Sequence, residues 1–292
     1  MKKLLLLLLG MLLSINIFAA QTVPIVWAFS PASNQANALR AIIDNANKAQ
    51  DKYLFVFENK TGAGGTVAVR HTINQTVPSL LMISTSVFVR PVYYPNESYD
   101  INDLQPISII AIGSPLAIIS KTYDSLDEVK KQKSASIGIV LGSITEATTR
   151  AIQPSISTEL QLVPYSSSVD ATRDAIGGHV DMSVEFIKDA VSWVDSGKVT
   201  IIGVTGSKNI GEHKTLVSQG VKGTDNLVSN YYMLASKHMP KELVLEMHEI
   251  INDAMFKQNV VDVWKADEAV VLKMNYKDTT KFWKTQKDFW RK

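Results

Sequence analysis

The chain has 292 residues, a formal charge of +2, five histidines and no cysteine. That length accommodates two medium domains with cores large enough to do without disulfides, and the absence of thiols excludes cysteine chemistry and a lipoprotein anchor. Lys2 and Lys3 account for the formal +2, so the rest of the chain is neutral with its charges scattered, leaving no electrostatic footprint for nucleic acid or anionic lipid.

In chain order, Met1, Lys2 and Lys3 precede an apolar run over residues 4–13, and Phe18, Ala19 and Ala20 close the stretch. A positive start, a core of about ten apolar residues and a small-residue exit predict a signal peptide over residues 1–20, since a membrane span needs roughly twenty apolar residues. Cleavage after Ala19 or Ala20 puts Ile17 or Phe18 three residues upstream, so an uncleaved anchor stays open as the alternative. Release into the periplasm as a monomer is the expectation.

The remainder alternates short β-rich runs with helical patterns, which predicts an α/β fold with largely parallel sheets. Residues 25–29 form the first expected strand; Leu39, Ile42, Ile43 and Ala46 then recur at helical spacing. Residues 53–57 form a second strand that runs into a glycine-rich loop, and residues 79–84 a third. Residues 106–120 are too interrupted by Gly113-Ser114-Pro115 for a helix, and suit a strand crossing between two lobes. Strands at 136–141, 160–164, 180–184 and 199–204 build the second lobe, and residues 231–235 return to the first. This predicts one lobe from residues 21–112 plus 230–292 and another from 113–229, with a ligand cleft between them. The segment from 241 onward reads as helical, with Phe282, Trp283, Phe289 and Trp290 as core packing.

Several segments resemble the extracytoplasmic receptors of tripartite tricarboxylate transporters, the Bug family. Phe57-Glu58-Asn59-Lys60-Thr61-Gly62-Ala63-Gly64-Gly65-Thr66 is similar to that family's V-E-N-R/K-P-G-A-G-G-T signature. Tyr99-Asp100-Ile101-Asn102-Asp103-Leu104-Gln105-Pro106-Ile107 resembles Y-D-x-x-D-F-x-P-V, and Gly142-Ser143 falls at a second G-S loop. Val163-Pro164-Tyr165 through Gly177-Gly178-His179-Val180-Asp181, and Gly197-Lys198 before Gly203-Val204-Thr205, continue the match in order. The resemblance implies a two-lobed, type II-like periplasmic binding protein that closes on a small organic acid and delivers it to membrane permease subunits, without catalysis or a cofactor.

Glycines at a helix start let backbone N–H groups approach an anion, and the helix dipole favours negative charge there. The ligand-binding candidates are therefore Gly62, Gly64, Gly65 and Thr66 as carboxylate anchor, with Thr85, Ser86, Ser143, Thr145, Tyr165 and Asp181 completing the cradle. Each hydroxyl has a plainer reading as a loop or helix cap. Where the family carries P-F-A-A-G-G-x-x-D, this chain has Ala28-Phe29-Ser30-Pro31-Ala32-Ser33-Asn34-Gln35-Ala36, so Phe29, Ser30, Ser33 and Asn34 are expected to select the rest of the ligand.

Catalytic signatures such as H-E-x-x-H, G-x-S-x-G, a Walker A loop and G-x-G-x-x-G do not occur in the sequence. His179 and Asp181 stand two apart without an evident third metal ligand, and read as a solvated pair. A periplasmic sensor that presents its ligand-bound form to a kinase is the alternative to transport. A structural adhesin fits least, having no need of glycine loops facing one cleft.

Overall fold

The computed structural model describes residues 20–291, so the expected signal peptide lies almost wholly outside the described residues. Two five-stranded sheets form two lobes, with strand orders β2-β1-β3-β10-β4 and β7-β6-β8-β5-β9. The first contains β1 (Gln21–Trp27), β2 (Tyr53–Asn59), β3 (Leu80–Ser84), β4 (Leu104–Ser114) and β10 (Ser229–Ser236). The second contains β5 (Leu116–Ser120), β6 (Ser134–Ile139), β7 (Glu159–Pro164), β8 (Met182–Phe186) and β9 (Thr200–Val204). The helices are α1 (Asn34–Ala49), α2 (Thr66–Ile73), α3 (Ser86–Tyr93), α4 (Leu126–Val129), α5 (Ile144–Ile152), α6 (Ser168–Gly177), α7 (Ile187–Asp195), α8 (Lys241–Met255), α9 (Gln258–Ala266) and α10 (Tyr276–Trp290).

The sheets are mixed rather than largely parallel. β10 runs antiparallel to both β3 and β4, and β5 antiparallel to both β8 and β9. The cause is connectivity. A strand arriving from the other lobe enters its sheet at the cleft edge and runs away from it, against neighbours that end there. Gly113, at φ +88°, and Pro115 break the path between β4 and β5. Register shifts along the β10–β4 ladder add twist where the two strands pass between lobes.

The first strand begins earlier than its apolar run suggests, because Gln21 pairs with Tyr53 in parallel register. Pro24 is tolerated there since β3 joins β1 only from Ile25 onward. The strand stops at Trp27, whose indole Nε1 donates to the Ser30 carbonyl at 2.9 Å and closes the turn into α1. α1 buries Ala36, Leu39, Ile42, Ile43 and Ala46 as one stripe, and α8 and α9 pack on it.

Trp264 of α9 is buried with its ring 4.6 Å from that of Tyr231, while Trp283 of α10 packs at 4.9 Å from Phe88 and 5.6 Å from Tyr232. Consecutive residues of β10 thus anchor the C-terminal helices on opposite faces of the first sheet. Of the four aromatics expected in the core, Phe289 departs: it is 55% exposed, one residue round the helix from Trp290, which is partly buried against both lobes.

Candidate functional site

The C-terminal ends of the strands in both sheets, apart from β5 and β10, face each other, and loops from these ends open into helices. Between the lobes is a narrow cavity. Its walls come from Trp27, Phe29, Ser30, Ser33, Gln35, Ser84, Ser86 and Tyr231 of the first lobe, and Val140, Ser143, Ile144, Thr145, Ser167, Ser168 and Phe186 of the second. None of these side chains is ionisable at neutral pH. The polar character comes from hydroxyls, one amide and the backbone.

Five helices begin at this cavity. Ser33, Thr85, Ser143, Ser167 and Phe186 occupy the N-cap positions of α1, α3, α5, α6 and α7. Ser33 accepts from the Ala36 N–H, Ser143 from Thr145 and Ser167 from Asp170, so these hydroxyls cap helices and line the cleft at once. Each of these helix starts brings the positive end of its dipole to the cavity, whose walls carry no cationic side chain.

The lobes stand closed. Ser86 Oγ accepts from the Ile144 N–H at 3.1 Å, and Tyr94 donates to Glu146 Oε1 at 3.0 Å. Arg90 Nη1 reaches the Leu141 carbonyl at 3.4 Å. Glu146, fully buried, also accepts from the Gly142 N–H at 2.6 Å and from Arg150 Nε at 2.8 Å.

Phe29, Ser30, Ser33, Ser86, Ser143 and Thr145 come together in the cavity walls as the sequence suggests. Asn34 does not join them: its Nδ2 donates to the Val263 carbonyl at 3.2 Å, turned toward α9. Thr85 is engaged with the backbone of Asn230 on β10, accepting from its N–H at 2.8 Å. Gly62, Gly64, Gly65 and Thr66 lie beside the cavity and outside its walls. Gly64, at φ +61°, rests against the Leu141 carbonyl and Gly142 of the other lobe, where an added Cβ would collide. Tyr165 lines the outer groove next to Gly64, and its hydroxyl donates to Asp174 at 2.7 Å. Burial, with the Asp174 carboxylate adding to it, pushes the Tyr165 phenol up to about 12.

Asp181 is the furthest displaced. It precedes β8, at the strand's other end from the cleft, where it accepts from the Ser136 N–H at 2.8 Å and the Ser136 hydroxyl at 2.7 Å. Its role is to join β8 to β6, because a parallel neighbour starts where β8 starts. Conversely, Trp27, Ser84, Val140, Ile144, Phe186 and Tyr231 line the cavity without having been singled out. Position at a strand's C-terminal end was the available signal for Trp27, Ser84 and Phe186.

Behind these walls are three carboxyls. Glu185 is fully buried and accepts from Ser168 at 2.7 Å, Thr172 at 3.1 Å and the Phe186 N–H at 2.8 Å. Burial, reinforced by Asp189, holds it well above the usual carboxylate range despite those donors. Asp189 is raised by burial, and the Asn34 N–H and Lys188 partly offset this. Burial pushes Asp267 up to about 7; the Gln35 amide, which donates at 2.7 Å, opposes the rise and Asp189 adds to it.

Two facing lobes joined by crossing strands, with a closed cleft walled by hydroxyls and helix N-termini from both sides, define a solute-binding protein of the two-lobed periplasmic kind. The chain belongs to the family described as tripartite tricarboxylate transporter family receptor, whose profile matches residues 38–292. This is a family of binding proteins, not of enzymes. The sequence is 23% identical over 274 residues to BugT of Bordetella pertussis, covering 88% of this chain and 83% of that protein. Its fold is similar to that of periplasmic binding protein BugD, with a TM-score of 0.82 and 22% identity over 92% of this chain and 95% of that one. It is also similar to MatC from Rhodopseudomonas palustris with bound malate, with a TM-score of 0.81 and 18% identity over 94% and 98% of the two chains. Another R. palustris protein, solved with adipate, gives a TM-score of 0.81 and 18% identity over 94% and 96%.

Proposed function

We propose that this receptor captures a small organic acid as its carboxylate in the interlobe cleft and hands it to the permease subunits of a tripartite transporter. One observation carries the choice of ligand. Five helix N-termini open onto a cavity whose walls hold hydroxyls, an amide and aromatic rings but no cationic side chain. Backbone N–H groups and dipoles of that kind stabilise an anion. The hydroxyls of Ser30 and Ser86, and one of the Ser143–Thr145 pair, can donate to its oxygens, while Trp27, Phe29 and Phe186 enclose a short carbon chain. The malate and adipate held by two structural relatives are acids of this class.

The reading includes export through the leader at residues 1–20 and action as a monomer in the periplasm. Among the described residues, no helix is long and apolar enough to cross a membrane. A thermal-shift screen of the mature chain against mono-, di- and tricarboxylates, each paired with its amide, tests the ligand class. A cognate acid at a hundred times its Kd should stabilise the protein by about 2.7 kcal/mol. Equal stabilisation by acid and amide would remove the anion reading.

A further inference from the structure

Of the three carboxyls behind the cavity walls, two bridge the lobes. Asp189, on α7 of the second lobe, accepts from the Asn34 N–H at the start of α1 at 3.5 Å. Asp267, which follows α9 in the first lobe, accepts from the Lys188 N–H in the first turn of α7 at 3.3 Å. Each lobe therefore places a carboxylate on the N-terminal turn of a helix in the other. The exchange lies beside the crossing strands, where Ser114 and Ser229 pair.

The surroundings provide little positive charge. Asp267 is fully buried, with the Gln35 amide as its side-chain partner. The buried hydroxyls of Ser114, Ser229 and Tyr231 complete no good hydrogen bond within the protein, although they stand near enough to influence one another and, for Ser114, Asp267. The titratable or charged groups facing this contact are Tyr231 from β10, Glu185 from β8, and Lys188 and Asp189 from α7. Lys188 is the one cation among them, and its Nζ is turned to Ser192 at 3.3 Å along the exposed side of α7.

We propose that closure of the two lobes takes up a proton from water, held at the contact made by Asp267 of one lobe and Asp189 of the other. The proposal rests on the reading of the cleft as one that opens and closes around its ligand. Opening parts α1 and Asp267 from α7, breaks both cross-lobe bonds and lets the two carboxylates hydrate. Closing dehydrates them together, beside an already buried Glu185. A negative ligand entering a cavity walled by Ser168 and Phe186, both bonded to Glu185, adds to the same repulsion. The upward shifts of Asp267 and Asp189 in the closed form agree with this direction.

The sign follows from linkage. A carboxyl raised in the closed form favours closure most below its open-form value of about 4, and that contribution is lost as the pH rises through about 7. Within that window the ratio of closed to open protein should fall about tenfold per pH unit for one proton taken up.

The chain's lack of cysteine permits a direct test. Spin labels placed through Thr61→Cys and Arg173→Cys, both exposed and on opposite lobes, report lobe separation in the ligand-free mature chain. The fraction at the shorter distance should grow at least severalfold between pH 7.5 and 5.5. Asp267→Asn should leave a distribution shifted toward closure and nearly independent of pH, and Asp189→Asn should reduce the response if the first variant folds poorly. A distribution that does not change over this range, or an undiminished response in both variants, would overturn the proposal. The acid and amide screen at one fixed pH judges the carboxylate reading separately, so the two ideas can fail independently.

Discussion

Ser86 of the first lobe places its hydroxyl 3.1 Å from the backbone nitrogen of Ile144, the first residue of a helix in the second lobe. A side chain of one lobe thus supplies an acceptor for the helix start of the other, and does so only when the cleft is shut. Ser84 donates to the same hydroxyl at 2.9 Å and holds it in place. Ser86→Ala should therefore weaken the closed form by about 0.5–1.5 kcal/mol and lower ligand affinity roughly twofold to tenfold. Calorimetry reads the affinity, and the ligand-free unfolding midpoint should hardly move.

Gly64 offers a steric test of closure. An added Cβ would meet the Leu141 carbonyl of the facing lobe, so Gly64→Ala should hold the cleft ajar and reduce affinity by at least about tenfold. Gly178, at φ +77° with open space around its missing Cβ, is the control. Gly178→Ala carries a similar backbone penalty of about 1–2 kcal/mol without a collision, and should lower stability while sparing affinity. X-ray scattering with saturating acid should show incomplete compaction for the Gly64 variant alone.

The loop after β1 should govern which acid is preferred. Ser30 and Ser33 face the cavity, whereas Ala36 is fully buried in the first-lobe core, so a charge at position 36 would test folding rather than recognition. Ser30→Ala is the cleaner change. It should reorder a panel of hydroxylated and unsubstituted dicarboxylates by about twofold to tenfold while the preference for acid over amide persists. Competition calorimetry against the unmodified chain measures both quantities.

Folding stability should decline from pH 5.5 to 8. Asp267 binds its proton more tightly in the folded protein, so its contribution is complete below about pH 4 and is lost as the pH rises through about 7. Glu185 and Asp189 are shifted in the same direction and add to the loss. Asp267→Asn should flatten the profile and regain about 1–3 kcal/mol at pH 8, seen as an unfolding midpoint a few degrees higher. An unchanged slope in the variant would show that Asp267 is not the group responsible.

The α/β class, the crossing strands and the family resemblance were all legible in the residues. Alternating apolar runs, Gly113-Ser114-Pro115 and the Glu58-to-Thr66 segment are local patterns, and local patterns dictate local structure. The helix starts after Ser33 and Ser143 were legible too, because those hydroxyls satisfy N–H groups only a few residues away. What remained hidden depended on which strand lies beside which. Asp181 looked like a partner for the cleft, and strand pairing sends it to Ser136 at the opposite edge. Asn34 turned to Val263, some 229 positions along the chain. The glycine segment reads as an anion loop by itself, yet closure sets Gly64 against Leu141 and leaves the cavity to hydroxyls on other helices. The exchange of Asp189 and Asp267 between lobes has no sequence signature at all. Sequence determined the elements and their ends, where interactions span a few residues; only the tertiary structure decided which ends converge, because that follows from strand order, burial and the meeting of two lobes.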